Sequence, residues 1–238
     1  MSGFLYSIAL QLKLDIRSRS LLVTCYIVPL IFFLLMGGIF TSVMPEMKTT
    51  LTQSMTVMSV SMGAFIGLPP SLTETYSGDI KKVYKANGVP LYCGVLAMFI
   101  SAFVHLMIMS LILLLLAPAV FGAAVPGSLP HYFAALAVYI AVSLGIGCVL
   151  GLTVKSQSKL TMAAQLIFLP SIMLSGILFP ADLLPDFLKT AGKLFPAPWG
   201  YACMLNDGLR PENLWYMLLL LCLAAFLCAM LLKKQSAA

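Results

Sequence analysis

Charge is what this sequence has least of. Only 9% of its 238 residues are Asp, Glu, Lys or Arg, whereas 61% are hydrophobic. A soluble domain of this size has no interior able to hide that much apolar surface, so the composition implies an integral membrane protein. A phosphate-binding loop is also missing. Gly192-Lys193 is followed by Leu194, with no glycine at the required earlier position, which excludes ATP hydrolysis by a G-x-x-x-x-G-K-[ST] loop. No H-E-x-x-H, G-x-S-x-G or paired-carboxylate arrangement lies in the apolar stretches, so no catalytic residue is indicated. The six cysteines are scattered and form no C-x-x-C pair, so neither a disulfide framework nor a metal site is expected. No internal repeat is visible, which weighs against an inverted-repeat secondary transporter.

What is present is a series of charge-free stretches: Ser20–Pro45, Thr49–Thr73, Ala86–Val154, Leu160–Ala181 and Asn213–Leu232. A span needs about 20 apolar residues, and Ala86–Val154 is long enough for two, with Pro118, Pro126, Gly127 and Pro130 in its middle. Six transmembrane helices follow, at roughly Leu21–Val43, Leu51–Leu72, Leu91–Ala117, Tyr132–Val154, Leu160–Phe179 and Leu214–Leu232. The runs are continuously apolar and not alternating, which excludes a β-barrel. With the N-terminus inside, the inner segments hold ten of the 14 basic residues and three of the eight acidic ones. That asymmetry predicts cytoplasmic N- and C-termini. The net charge of +6 therefore reads as topology, with no nucleic-acid partner implied. The first span is full length and lacks a convincing small-residue cleavage site, so it reads as uncleaved. The expected location is a cell membrane, multi-pass.

Outside the spans, three segments carry helical signals. At the N-terminus, residues 1–20, Phe4, Leu5, Ile8, Ala9, Leu12 and Ile16 form a stripe, with Ser7, Gln11, Lys13 and Arg17 off it; this predicts a cationic interfacial helix. In the inner loop, Ser71 and Glu74 fit a capping box, while Asn87-Gly88 and Pro90 fit a helix stop. A short helix over about 73–88 is thus expected, with Ile80, Val83 and Tyr84 on one face and Lys81, Lys82 and Lys85 around it. On the outer side, an apolar helix is expected to stop at Pro180. An amphipathic piece follows, with Leu184, Phe187, Leu188, Ala191 and Phe195 on one face, before Pro196 and Pro198 break it ahead of Trp199. This piece is too short to cross a bilayer core of about 30 Å, so it predicts a re-entrant or interfacial hairpin over about 180–200.

Polarity inside the spans is mild. Span two carries Met55, Thr56, Ser59 and Met62, and span five carries Thr161, Gln165, Ser171 and Ser175. These fit either a weakly polar, adaptable path for an amphiphile or simple interhelical hydrogen bonding. Gly63/Gly67 and Gly147/Gly151 form G-x-x-x-G pairs, read as close packing. His105 is the one ionisable ring expected within a span, read as a packing or interhelical hydrogen-bond residue.

Three segments carry a family resemblance. L-S-G-I-L-F-P-A-D-L-L-P (Leu174–Pro185) with L-F-P-A-P-W-G (Leu194–Gly200) resembles the span-five exit and outer re-entrant hairpin of type-2 ATP-binding-cassette exporter permeases. Glu74 through Pro90 is similar to that family's coupling segment, and Phe4–Ile16 fits its interfacial connecting helix. The resemblance covers most of the chain and implies an all-α six-span permease domain, residues 21–238. It implies a dimer with a second permease copy or a sister permease, and a separate cassette ATPase subunit that binds the ATP and Mg2+. It further implies that Glu74, Gly78, Ile80, Lys81, Val83, Tyr84 and Lys85 couple to that ATPase. Spans one, two and five would line the path between protomers. The outer hairpin, with Phe179, Pro180, Leu184, Phe187, Phe195 and Trp199, becomes a candidate exit gate. The chain resembles compact members that lack a large outer domain, and Thr75 stands where the family often has a second charge. Export of a hydrophobic or amphiphilic substrate such as a drug, antimicrobial peptide or lipid from a bacterial plasma membrane is the resulting expectation. The alternatives are a secondary transporter or channel with no ATPase, and a membrane scaffold.

Overall fold

An uncharged apolar segment in a bilayer must satisfy its own backbone groups, and a helix does so within one segment. The computed structural model describes residues 2–78, 83–84, 86–180, 183–205 and 211–237, and among these every regular element is helical. In chain order they are α1 (Ser2–Arg17), α2 (Arg19–Ser42), α3 (Pro45–Ser77), α4 (Leu91–Phe121), α5 (Leu129–Thr153), α6 (Gln157–Met173), α7 (Asp186–Gly192), α8 (Pro196–Leu205) and α9 (Pro211–Ala237). Five of these helices, α2, α3, α4, α5 and α9, are long and apolar enough to cross a membrane.

The expected fifth span, Leu160–Phe179, is shorter than its apolar run. α6 has 17 residues, about 25 Å at 1.5 Å per residue, and ends at Met173, well before Pro180. The cause is local. Ser175 Oγ donates to the Ile172 carbonyl (2.6 Å) and accepts from the Ile177 N–H (3.3 Å). Gly176 then takes φ +82°, a conformation that ends a helix and that glycine tolerates. The side chain competes for backbone groups the helix would need.

Two helices survive internal prolines by one device. π-helical turns at Val23–Ile27 and Gly63–Gly67 precede Pro29 in α2 and Pro69-Pro70 in α3. In an ordinary helix each proline would clash with the carbonyl four residues back; a wider turn just before it makes room. α3 therefore runs through Pro69-Pro70 to Ser77, and the expected new start at Ser71 and Glu74 does not occur. Both lie within one helix, which stops where a Cβ on Gly78 would sit 2.8 Å from the Glu74 carbonyl. The expected stop at Asn87-Gly88 does form. The Val89 N–H returns to the Tyr84 carbonyl at 2.9 Å, and Gly88 has φ +64°. Ile80, Lys81, Lys82 and Lys85 lie outside the described residues.

α3 occupies the centre, with α2, α4, α5 and α6 around it, while α9 leans on the far side of α5. Phe33 and Phe40 of α2, Phe65 and Leu72 of α3, Leu106 and Leu113 of α4, and Tyr132 and Tyr139 of α5 fill the core. The glycine pairs act as close-packing sites on different partners. A Cβ on Gly151 would lie 2.7 Å from Leu72 Cβ and 2.9 Å from the Pro69 carbonyl, and Gly147 abuts the Ala64 carbonyl. Gly63 faces Leu106, and a Cβ on Gly67 would be 3.2 Å from Cys25 Sγ.

α1 packs on α4, but through a face rotated from the expected stripe. Leu5, Ala9 and Ile16 are exposed, whereas Phe4, Ile8, Gln11, Leu12 and Asp15 turn inward. The reason is polar. Asp15 is only 7% exposed; it accepts from Ser101 Oγ of α4 at 2.5 Å and from Gln11 Nε2 at 2.8 Å. A buried carboxylate has to be hydrogen-bonded, and this requirement outweighs the cost of leaving two leucine-sized side chains on the surface.

Candidate functional site: the polar core helix and the two ends of the bundle

Span two's hydroxyls point into the protomer. Thr56 Oγ1 pairs with Tyr132 Oη at 2.8 Å, Ser61 Oγ with Tyr139 Oη at 2.5 Å, and Ser54 Oγ with Tyr201 Oη at 3.3 Å. Thr73 Oγ1 donates to the Gly151 carbonyl at 3.0 Å. The result is a ladder tying α3 to α5 and α8. Met55, Thr56 and Ser59 are buried within one protomer, and Met62 is half-buried. Of the span-five residues, Ser171 and Ser175 are buried, while Thr161 and Gln165 lie on the outer surface of the bundle. The eight residues read as a path therefore do not share one surface in a single protomer. For Thr56, hydrogen bonding between helices is the role its geometry supports.

At the end of the bundle remote from Ser77, α7 and α8 follow one another through a turn at residues 193–195. Pro196 opens a second helix, as its fixed φ and missing N–H allow at a first helical position. Gly200 lies against the Tyr139 ring, so α8 packs along the side of α5. The Trp199 indole N–H donates to the Lys193 carbonyl at 2.8 Å, and its ring stacks on Tyr216 of α9 at 4.4 Å and 9°. His131 Nε2 donates to the Cys203 carbonyl at 2.8 Å. Burial pushes the Cys203 thiol above its ordinary pKa.

Beside α7 and α8 is a pocket of about 540 Å³, bounded by Met47 and Thr50 of α3, Leu174–Gly176 after α6, Pro180, Leu184, Trp199 and Tyr201, with Glu46, Lys189 and Lys193 also on its lining. Its size falls in the range of small-molecule sites, about 300–1,000 Å³. The expected gate divides here. Pro180, Leu184 and Trp199 line the pocket, as does Ser175 from the expected path. Phe179 and Phe187 point outward and are exposed, and Phe195 is half-buried; these three are not on its wall. Lys189 sits 3.7 Å from the Asp186 carboxylate, an exposed pair of small energetic weight.

At the opposite end, Glu74 is exposed on the last turns of α3 and Val83 is exposed beyond the Gly78 break. Tyr84 turns the other way. Gly94 at the start of α4 is small enough to admit both its ring and the Tyr76 hydroxyl, which donates to the Leu91 carbonyl. Tyr84 thus braces the segment against the bundle, leaving Glu74 and Val83 as the outward groups.

Sequence reasoning missed one constellation. Asp15 and Ser101 lie a turn from His105, whose Nδ1 shares a 2.7 Å hydrogen bond with Tyr26 Oη. His105 acts as expected, as an interhelical partner. The signal that could have exposed the rest was an Asp among apolar residues of α1, together with Ser101 and His105 spaced i, i+4 on one helix face.

Five helices long and apolar enough to cross a membrane, packed about a polar central one with α1 docked on α4, make up a multi-pass membrane protein. The signature of the ABC-2 type transporter family matches residues 3–207. The chain belongs to that family and is a multi-pass ABC-type permease, the membrane component of such a system. A comparison with curated proteins finds no match.

Proposed function

We propose that the chain is the permease subunit of an ATP-driven exporter, working as a dimer with a separate cassette ATPase and moving a hydrophobic or amphiphilic substrate outward. The observation that carries this reading is the continuity of α3. One helix links the exposed Glu74 at one end to the polar ladder in the core and the pocket under the hairpin at the other. A push at Glu74 and Val83 has a rigid element to travel along.

In this reading α6 and the turn through Phe179 make the sixth crossing, and both termini face the cytoplasm. The dimer is supported by Gln165. It is exposed on α6 in a charge-free stretch, where an unpaired amide costs free energy in lipid. A second permease copy or a sister permease covering that face supplies a partner and brings Thr161 and Gln165 into a shared path. The outer pocket then holds substrate before release, with Leu184 and Trp199 as its lid.

The test is reconstitution with a cassette ATPase. Val83→Asp and Glu74→Lys are expected to lower copurification and permease-stimulated ATPase activity by about tenfold or more, the order that interfacial charge mismatch produces. Unchanged association in both variants would sink the coupling role. Transport driven by an ion gradient without ATP would favour a secondary transporter instead.

A further inference from the structure

A second cavity lies at the other end of the bundle, between α4, α5 and α9. It measures about 860 Å³ and is walled by Val95 and Phe99 of α4, Cys148 of α5, and Ala225, Ala229 and Leu232 of α9. Its origin is a packing mismatch. α9 fits closely onto α5, where a Cβ on Gly145 would lie 3.1 Å from Ala224 Cβ, but it barely meets α4. Small side chains at Ala225 and Ala229 leave the wedge between α4 and α9 deep. None of the lining residues belongs to α2, α3 or α6, so the cavity is separate from the polar ladder, the outer pocket and the Gln165 face. An apolar hollow of this size facing lipid is filled by hydrocarbon, because unfilled walls forfeit their dispersion contacts.

The mouth gives the occupant a charge. Lys233, at the end of α9, lines it together with Val89 and Pro90, and no Asp or Glu is among the described residues that do. The distribution of basic residues, which also underlies the proposed orientation, sets this end at the inner leaflet, where the anionic lipids that attract juxtamembrane lysines reside. We propose that the cavity binds one anionic phospholipid of the inner leaflet, its acyl chains wedged between α4 and α9 and its phosphate held by Lys233. The bound lipid would touch Val89 and Pro90, the residues that close the inner helical segment.

The experiment is native mass spectrometry of the full chain, taken from bilayers of phosphatidylcholine and phosphatidylglycerol mixed equally, with retained lipids counted. The expected result is one retained phosphatidylglycerol, enriched about fivefold or more over phosphatidylcholine, the order that one lysine near an anionic surface provides. Lys233→Gln, at an exposed helix end, should bring the two lipids to parity, while Lys234→Gln keeps the preference. Ala229→Phe, which fills the wedge, should lower retention of both. Parity in the wild type, a preference that survives Lys233→Gln, or full retention in Ala229→Phe would each overturn the site. No ATPase is present in this measurement, so it fails or succeeds independently of the exporter reading.

Discussion

α3 and α9 both cross the bundle's full height, yet they are opposites. In the most apolar stretch of α3, 72% of residues are buried within the protomer, against 11% in α9. In water the more apolar helix would be the buried one. Here the order is reversed, because lipid accepts apolar side chains freely and offers hydroxyls nothing. Thr56, Ser61 and Thr73 find oxygens on α5, so α3 has to be surrounded by protein, while the leucine-rich face of α9 can be left to lipid. The contrast teaches that in this molecule the residues that specify helix neighbours are small or polar ones, and the large apolar ones mostly set membrane residence.

The strongest way to break that contrast is to remove the close approach on which the centre depends. Gly151→Leu, forced against Leu72 and Pro69, should destabilise by ~3 kcal/mol, seen as a fall in the midpoint of thermal unfolding in detergent. Phe226→Leu on the exposed face of α9 should leave that midpoint unchanged. Asp15→Ala comes next. It strands Gln11 and Ser101 and should cost about 1–3 kcal/mol, with amide exchange rising across residues 4–16 while the core of α3 stays protected. The smallest loss is expected from Tyr132→Phe, which deletes one rung of the ladder. Bonds between membrane helices are worth about 0.6–2 kcal/mol, so a loss near the bottom of that range, read in the same unfolding assay, would show the ladder to be a set of weak independent ties. A loss comparable to Gly151→Leu would show it to be cooperative.

Much of the architecture was legible because lipid imposes a simple rule. Charge-free stretches of sufficient length located all five long helices, although α3 extends several residues beyond the expected Leu51–Leu72 at both ends. The Asn87-Gly88 stop was readable because a left-handed glycine after a helix is a local requirement. The errors were of another kind. Ser71 and Glu74 fit a capping box, but helix continuation through Pro69-Pro70 depended on a π-helical turn that no spacing rule announces. α1's stripe was misplaced because apolar periodicity takes no account of Asp15, whose partner Ser101 is far away in sequence. Phe179 and Phe187 were gate candidates through the family resemblance, yet both rings are exposed and off the pocket wall, a direction no spacing in the sequence announces.

The sequence by itself determined membrane residence, helical class and where the five long helices lie, because these depend on local hydropathy. Only the tertiary structure decided which hydroxyl meets which tyrosine, where α1 docks, which residues wall the pocket beside α8 and where α4 and α9 part to leave a hollow. Those outcomes turn on the packing of side chains from distant segments, where a glycine's missing methyl or one buried carboxylate selects the neighbour.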